Sequence, residues 1–155
     1  MKTMLKAVAV CAAMVAAFLF TSCGEHPYLV IQNNVVVRVK NSEIVPVKVE
    51  IPKGVTKIAK GAFEGCYEIE SVKIPKGVTE IGENAFRNCH HLNNITIPTS
   101  VTKIGNFAFY NSTSNVEYAG TKAQWGMISM NREYLTFKRN TTVHCRDGAI
   151  DWASQ

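Results

Sequence analysis

Thiol and imidazole side chains adjoin at two places in the chain, and both groups can bind zinc. Cys89-His90-His91 forms one cluster and His144-Cys145 forms the other. Structural zinc sites usually take paired ligands at spacings such as C-x₂-C, with a second pair to match. Neither cluster has such a spacing or a matching pair. The sequence therefore does not favour a metal site.

Nucleophilic catalysis is not indicated either. Serine, histidine and aspartate occur, but never in a nucleophile-elbow context that would expose a reactive hydroxyl. The glycines fall at turn positions of a repeated motif rather than in a phosphate-binding loop. We therefore predict no catalytic residues, no cofactor and no enzymatic activity. A hydrolase that uses the C-terminal tail is the least favoured alternative.

The remaining cysteines separate by position. Cys66 and Cys89 lie 23 residues apart, at the same place in two copies of a motif. Side chains at equivalent positions of a repeat run parallel, whereas a disulfide needs converging Cβ vectors. We expect two buried free thiols, with a disulfide between them as the alternative. Cys145 would then have no partner.

The motif itself must position these groups. "IPKGVTKIAKGAFEGC" begins at Ile51, "IPKGVTEIGENAFRNC" at Ile74 and "IPTSVTKIGNFAFYNS" at Ile97, so the period is 23 residues. A period in the twenties is typical of a solenoid, whose stacked coils bury a face that no single coil can bury. One phenylalanine per copy is expected to fill the core between coils. These residues are Phe63, Phe86 and Phe109.

Short strands are predicted at the start of each copy. Residues 49–51, 72–74 and 95–97 alternate apolar and polar side chains, as a strand with one buried face does. The proline that follows each has no N–H to continue a ladder. The predicted fold is a β-rich solenoid with parallel short strands, short helical or 3₁₀ turns at "AFEGC" and "AFRNC", and capping hairpins or a helix at the ends.

The flanking segments are interpreted as caps, because the end coils of an open solenoid would otherwise expose apolar core. Residues 28–48 form the N-terminal cap, with a hairpin turn at Asn33-Asn34. Residues 116–155 hold one last strand, two residues early relative to the period, and the C-terminal cap. There Thr121 and Gln124 form a capping box opening a helix that carries Trp125 and Ile128, and Asp147-Gly148 indicates a hairpin.

The first 22 residues differ from the rest. Lys2 and Lys6 precede a 14-residue apolar run from Ala7 to Phe20. About 20 apolar residues are needed to span a bilayer, so this run is typical of a secretory signal. Without it the chain carries fifteen basic and twelve acidic side chains, a formal charge of +3. That charge, without a basic stripe, does not predict nucleic-acid binding.

Two stretches resemble known proteins. "LFTSC" resembles the lipobox of bacterial lipoproteins, which implies cleavage before Cys23, lipidation of Cys23, and a short tether at 23–27. An ordinary signal peptide with an incidental cysteine is the alternative.

The pattern I-P-x-x-V-T-x-I-x-x-x-A-F at 51–63, 74–86 and 97–109 resembles the BspA-like leucine-rich repeat proteins of bacterial surfaces, as do "YAGTKAQW" at 118–125 and "TVHCRDG" at 142–148. This likeness implies three leucine-rich repeats over 49–115.

The outward side chains of the predicted sheet form two columns, which are the candidate binding face. One column is Lys48, Ser71, Asn94 and Asn115, and the other is Glu50, Lys73, Thr96 and Glu117. Such a face covers a few hundred square ångströms, whereas a standard protein partner buries about 800 Å² per side. It also has no aromatic anchor. We therefore expect weak contacts that gain strength through multivalent display on a membrane, or through help from the loops and tail.

The resemblance implies a binding or adhesion module for host or neighbouring-cell macromolecules, with a protein or glycan as ligand. We expect it at the bacterial cell envelope, held to the outer membrane or cell surface by the N-terminal lipid. Opposite charges recur along the stack, as at Glu50 and Lys73. This pairing favours the alternative, a structural or accessory envelope lipoprotein without a dedicated ligand.

Overall fold

The computed structural model describes residues 26–41, 45–131, 134, 137 and 140–152. The predicted signal segment, Cys11 and Cys23 lie outside them. In chain order the described elements are β1 (Leu29–Gln32), β2 (Val35–Val39), β3 (Lys48–Glu50), β4 (Lys57–Ile58), β5 (Ser71–Lys73), β6 (Glu80–Ile81), β7 (Asn94–Ile97), β8 (Lys103–Ile104), β9 (Asn115–Tyr118), α1 (Lys122–Gly126), β10 (Thr142–Cys145) and β11 (Gly148–Asp151).

The predicted parallel solenoid is confirmed. The strands that open the repeats, β3, β5 and β7, pair in parallel and are joined by β9, then β10 and β11, in a six-stranded sheet. Val49 lies opposite Val72, Val72 opposite Ile95, and Ile95 opposite Val116. Residues that are one period apart in the sequence therefore lie opposite one another in the sheet. Asn94 pairs with Asn115, so this coil is two residues shorter than the 23-residue period, as the sequence predicts.

A second sheet was not expected. It has the order β1-β2-β4-β6-β8 and takes one two-residue strand from each repeat. Each such strand buries a single isoleucine, Ile58, Ile81 or Ile104. Alternation cannot be seen over two residues, so no strand is predicted there from the pattern. Each coil therefore contributes two strands and not one.

The turns between the two sheets bond both within a coil and between coils. Within the first coil, the Ala62 N–H donates to the Ala59 carbonyl at 3.3 Å and the Cys66 N–H to the Phe63 carbonyl at 3.1 Å. These are 3₁₀-type bonds in runs too short to form a helix. Between coils, the Phe63 N–H donates to the Ala85 carbonyl at 2.8 Å. The turns are therefore stacked in register like the strands.

The phenylalanines form one continuous file through the core, as predicted. The rings of Phe63 and Phe86 stack with centroids 4.8 Å apart, and those of Phe86 and Phe109 are 5.4 Å apart. All three side chains are fully buried. Phe137 continues the file beyond Phe109 at 4.9 Å, and Trp152 packs edge-on against it. The C-terminal segment thus closes the apolar core.

The N-terminal hairpin is present as predicted. Asn33 and Asn34 have φ of 50° and 62°, the left-handed values that a tight hairpin turn requires. They join β1 and β2, which pair antiparallel. The second strand, β2, then pairs in parallel with β4, so this hairpin extends the second sheet and not the first.

The C-terminal cap also follows the sequence, with two differences. Thr121 and Gln124 form the predicted capping box at the start of α1, and Trp125 is buried. The last hairpin turns at residues 146–147, and Gly148, with a φ of 123°, already pairs with Cys145 as the first residue of β11. In addition, β9 is not the last strand, because β10 continues the parallel sheet beyond it.

Within the part of the chain that the structure describes, no helix has the length and apolarity to cross a bilayer.

Candidate functional site

The two predicted columns lie together on the outer face of the six-stranded sheet. Strand pairing places Lys48 beside Ser71, then Asn94 and Asn115, and places Glu50 beside Lys73, then Thr96 and Glu117. Ser71 is half-buried and the other seven residues are exposed. The alternate residues of the same strands point into the core. We call these eight side chains the sheet face.

Both columns continue onto β10, a strand of the predicted C-terminal hairpin whose pairing with β9 was not predicted. Thr142 lies opposite Asn115, and His144 lies opposite Glu117. The alternation of "TVHC", with Val143 buried, was the available signal for a strand. Its place in the parallel sheet could not be inferred, because the connection from β9 to β10 does not keep the repeat period.

The charges of the sheet face are weakly paired. Lys73 Nζ lies 3.7 Å from Glu50 Oε1, and both side chains are more than two thirds exposed. An exposed pair at this distance contributes little to stability. The sheet face is therefore polar, mixed in charge and open to solvent, without a group poised for chemistry.

A tighter set of ion pairs lies on the second sheet. Glu80 contacts Lys57 at 2.9 Å and Lys103 at 3.3 Å, so one carboxylate bridges three coils. The hydrogen bond from Lys57 is the main reason that the pKa of Glu80 is lowered. Lys60 and Glu83 pair at 2.9 Å in the neighbouring turn. These contacts join coil to coil, so the prediction of charge pairing along the stack is confirmed.

Cys66 and Cys89 are buried free thiols, as expected. The Cys89 Sγ donates to the Phe63 carbonyl at 3.0 Å. Burial raises the pKa of Cys66 to about 11 and the pKa of Cys89 to about 12. Thiols with such pKa values are protonated at neutral pH, so they are poor nucleophiles. Cys145 is also free, and burial raises its pKa.

The first candidate zinc cluster is split by the fold. Cys89 is buried in the core, whereas His90 is exposed and stacks on Tyr67 with centroids 5.3 Å apart. Among the described residues, no three His, Cys, Asp or Glu side chains gather as a metal site would require.

The stacked turns carry a group of aromatic side chains that sequence reasoning missed. Phe107 meets Tyr110 at 5.8 Å and Tyr134 at 5.5 Å, both edge to face. The guanidinium of Arg87 lies over the Tyr110 ring at 5.8 Å, and Glu64 holds Arg87 at 3.7 Å. Tyr110 and Tyr134 are 37% and 45% exposed. We call Phe107, Tyr110 and Tyr134 the aromatic cluster.

An open groove of about 490 Å³ lies at the N-terminal end of the solenoid. Leu29 and Ile31 of β1 line one side, and Pro52 and Val55 of the first turn line the other. Lys40 and Lys53 stand at its rim. The lining mixes apolar and charged groups and contains no pair of side chains suited to acid or base chemistry.

Comparison with known proteins agrees with the repeat architecture. A family model described as "BspA type Leucine rich repeat region (6 copies)" matches residues 40–124, more than half of the chain. The search of curated proteins found no match to this chain.

Two solved structures are similar over part of their length. A leucine-rich repeat protein of T. pallidum shares 23% identity at a TM-score of 0.49, over 59% of this chain and 50% of that one. A structure described as a leucine-rich cell surface protein of Faecalibacterium prausnitzii shares 28% identity at a TM-score of 0.32, over 64% of this chain and 39% of that one. The chain thus matches half or less of the length of each.

Proposed function

The chain belongs to the BspA-type leucine-rich repeat family, and from this premise we propose that it is a non-catalytic binding or adhesion module displayed at a bacterial cell surface. Its ligand would be a protein or glycan of a host or neighbouring cell. The observation that carries the proposal is the sheet face, where columns of equivalent side chains repeat in constant register and are open to solvent.

The proposed anchor is a lipid on Cys23. Two residues, Gly24 and Glu25, lie between Cys23 and His26 in the sequence, and the described chain begins at His26. Even fully extended, the three steps from Cys23 to His26 span about 10 Å. A lipid on Cys23 would therefore hold the N-terminal hairpin close to the bilayer, and successive coils would lie at increasing distance from the cap.

Labelling with radioactive palmitate tests the anchor. We expect the full chain expressed in a bacterium to incorporate the label and the Cys23→Ala variant to lose it. Ser22→Ala, one residue upstream, is the matched control and should label normally, because small residues fit the peptidase motif. Equal labelling of the Cys23→Ala variant would refute lipidation at this residue.

Affinity is expected to be weak for a single molecule. The sheet face has a few hundred square ångströms, against about 800 Å² on each side of a standard protein interface. Many copies held on one membrane would raise the effective concentration of sites and compensate for the small area.

Arrays of glycans and host proteins test recognition by the sheet face. The full chain in detergent micelles should bind reproducibly, and the double variant Lys73→Glu with Thr96→Lys should lose that binding. The double variant Lys60→Glu with Thr56→Lys makes the same changes away from the sheet face and should retain it. Binding that survives the first double variant would rule out the sheet face as the recognition surface.

The second candidate function is a structural or accessory envelope lipoprotein without a ligand. It is supported by the ion pairs that join neighbouring coils, above all the bridge from Lys57 through Glu80 to Lys103. If the arrays stay blank while the Cys23 lipid is present, this function is favoured over recognition.

A further inference from the structure

Phe107 occupies a backbone position that suits other residues better. Its φ is +56°, in the left-handed region, and the equivalent positions of the two preceding coils hold Gly61 and Asn84 at φ of +63° and +55°. Glycine and asparagine tolerate this region, whereas a bulky side chain there is strained. Strain of this kind persists only where the surrounding structure supports it, and it is concentrated at functional sites.

The contacts of Phe107 account for only part of this cost. Its ring packs edge to face against Tyr110 and Tyr134, yet Phe107 itself is only half-buried and both tyrosines remain substantially exposed. The result is a compact group of rings that faces water on the side of the stacked turns. Tyrosine and arginine are the residues that most often dominate binding energy at recognition sites.

Two polar atoms beside the aromatic cluster have no hydrogen-bond partner. They are Oδ1 of Asn84, the residue below Phe107 in the stack, and Nε of Arg87, whose guanidinium lies over Tyr110. Both atoms are covered, and no described residue satisfies them. An unmade hydrogen bond at a buried polar atom is costly, so each such atom in a folded protein calls for an explanation.

We propose that the aromatic cluster, with Asn84 and Arg87, is an oligosaccharide-binding site separate from the sheet face. Sugar rings have apolar C–H faces, which suit aromatic rings, and hydroxyl groups, which both donate and accept hydrogen bonds. Sugar hydroxyls can donate to Asn84 Oδ1 and accept from Arg87 Nε. The Arg87 side chain is 41% exposed, so a ligand can reach it from solvent.

The size of the site favours a sugar over a protein surface. The Phe107 ring lies 5.8 Å from the Tyr110 ring and 5.5 Å from the Tyr134 ring, so the aromatic cluster is compact. A protein partner would bury about 800 Å² on this side, far more than the aromatic cluster offers. The sheet face, by contrast, has no aromatic ring, so the two surfaces differ in the chemistry that they recognise.

An oligosaccharide array tests this site with the full chain in detergent micelles. We expect binding to at least one class of oligosaccharide, and at least about tenfold weaker binding by Tyr110→Ala with Tyr134→Ala, since two ring contacts are lost. Tyr67→Ala is the matched control, because Tyr67 is the most exposed tyrosine and lies outside the aromatic cluster. Unchanged affinity in the double variant overturns the proposal.

A single variant separates binding from folding. Phe107→Asn places the residue of the second coil at the same position of the third, so we expect an equal or higher Tm together with at least about tenfold weaker sugar binding. A lower Tm with unchanged binding would show that Phe107 serves packing alone, and would overturn the proposal.

Protection from nitration gives a test that needs no variant. A saturating oligosaccharide from the array should protect Tyr110 and Tyr134 from tetranitromethane and leave Tyr67 reactive. Equal reactivity of all three overturns the proposal, as does an array on which no oligosaccharide binds. Binding of a protein that is lost on Lys73→Glu with Thr96→Lys would still support the sheet face, so the two proposals fail separately.

Discussion

At the scale of the residue, one buried phenylalanine from each coil packs against the phenylalanine of the next coil. Phe86 stacks between Phe63 and Phe109 at 4.8 and 5.4 Å, with no exposed surface. Burying a side chain of this size supplies much of the apolar driving force of a coil. The sequence predicted this file correctly, because the phenylalanines recur at a constant period between alanine and a turn.

Phe86→Ala should therefore lower the free energy of unfolding by about 3–5 kcal/mol, because it leaves a cavity between two rings that cannot move together. Urea unfolding followed by circular dichroism measures this change. Tyr67→Ala, at a 53% exposed position of the same turns, should change stability by less than about 0.5 kcal/mol. A loss below about 1 kcal/mol for Phe86→Ala would mean that the file is not a packed core.

The ion pairs of Glu80 with Lys57 and Lys103 make a pH-dependent contribution to the stability of the fold. Lys57 and Lys103 lower the pKa of Glu80 below its ordinary 4.5. A carboxyl whose pKa is lower in the folded state stabilises the protein above its unfolded pKa, and this stability is lost as the pH falls through the folded pKa. Glu80→Gln should thus cost about 0.5–1 kcal/mol near pH 7, with the difference from wild type closing below pH 4.5.

Urea unfolding across the acid range measures that effect. Glu83→Gln is the matched control, because its partner Lys60 and its own side chain are more exposed, and it should change stability less. A deficit of Glu80→Gln that is the same at pH 3 and pH 7 would contradict an electrostatic role for this carboxylate.

At the scale of the element, the two sheets differ in how far they could be foreseen. The strands that open each repeat alternate over three residues, as at Val72, Lys73 and Ile74, and this pattern is visible in the sequence. The two-residue strands carry one buried isoleucine each, so they are defined by pairing between coils. The Thr79 hydroxyl and N–H both donate to the Thr56 carbonyl, which shows that the partner lies one full coil away.

Glycine marks the places where one coil approaches the next most closely. A Cβ at Gly105 would lie 2.4 Å from the backbone nitrogen of Glu83, and a Cβ at Gly82 would lie 2.6 Å from the backbone of Ala59 and Lys60. The first repeat holds Ala59 at this position. Close contact between coils thus explains why the second and third repeats hold glycine there.

Gly105→Ala should therefore cost about 1–3 kcal/mol, because the added methyl group overlaps the backbone of Gly82 and Glu83 in the preceding coil. Thermal unfolding measures the effect as a lower Tm. Gly126→Ala is the matched control, since a Cβ there meets nothing within 4 Å and alanine favours the helix. A Tm for Gly105→Ala equal to that of wild type would mean that the coils are not in close contact.

At the scale of the whole molecule, the regular coils were predictable, whereas the closing segment was predictable only in its capping box and its hairpin. The period placed the sheet face correctly through Asn115, two residues early, but Thr142 and His144 complete the columns from a strand outside the period. Phe137 and Tyr134 likewise join the core file and the aromatic cluster from positions outside the repeat period. Stacking against the last coil positions them, and no local pattern in the sequence encodes that contact.

The two proposed surfaces also follow from the whole molecule. The sheet face uses one side of every coil, whereas the aromatic cluster is built where the third coil meets Tyr134. If Cys23 carries a lipid, the N-terminal hairpin lies at the membrane and the aromatic cluster belongs to coils further from it. Both surfaces depend on coils that are stacked in step.

Contacts between the phenylalanine rings test that stacking most directly. In a nuclear Overhauser spectrum of the protein labelled on phenylalanine, the account predicts cross-peaks between the rings of Phe63 and Phe86 and between those of Phe86 and Phe109, with none between Phe63 and Phe109. Absence of the first two cross-peaks, or phenylalanine rings in contact with water, would contradict the stacked solenoid and both surfaces built on it.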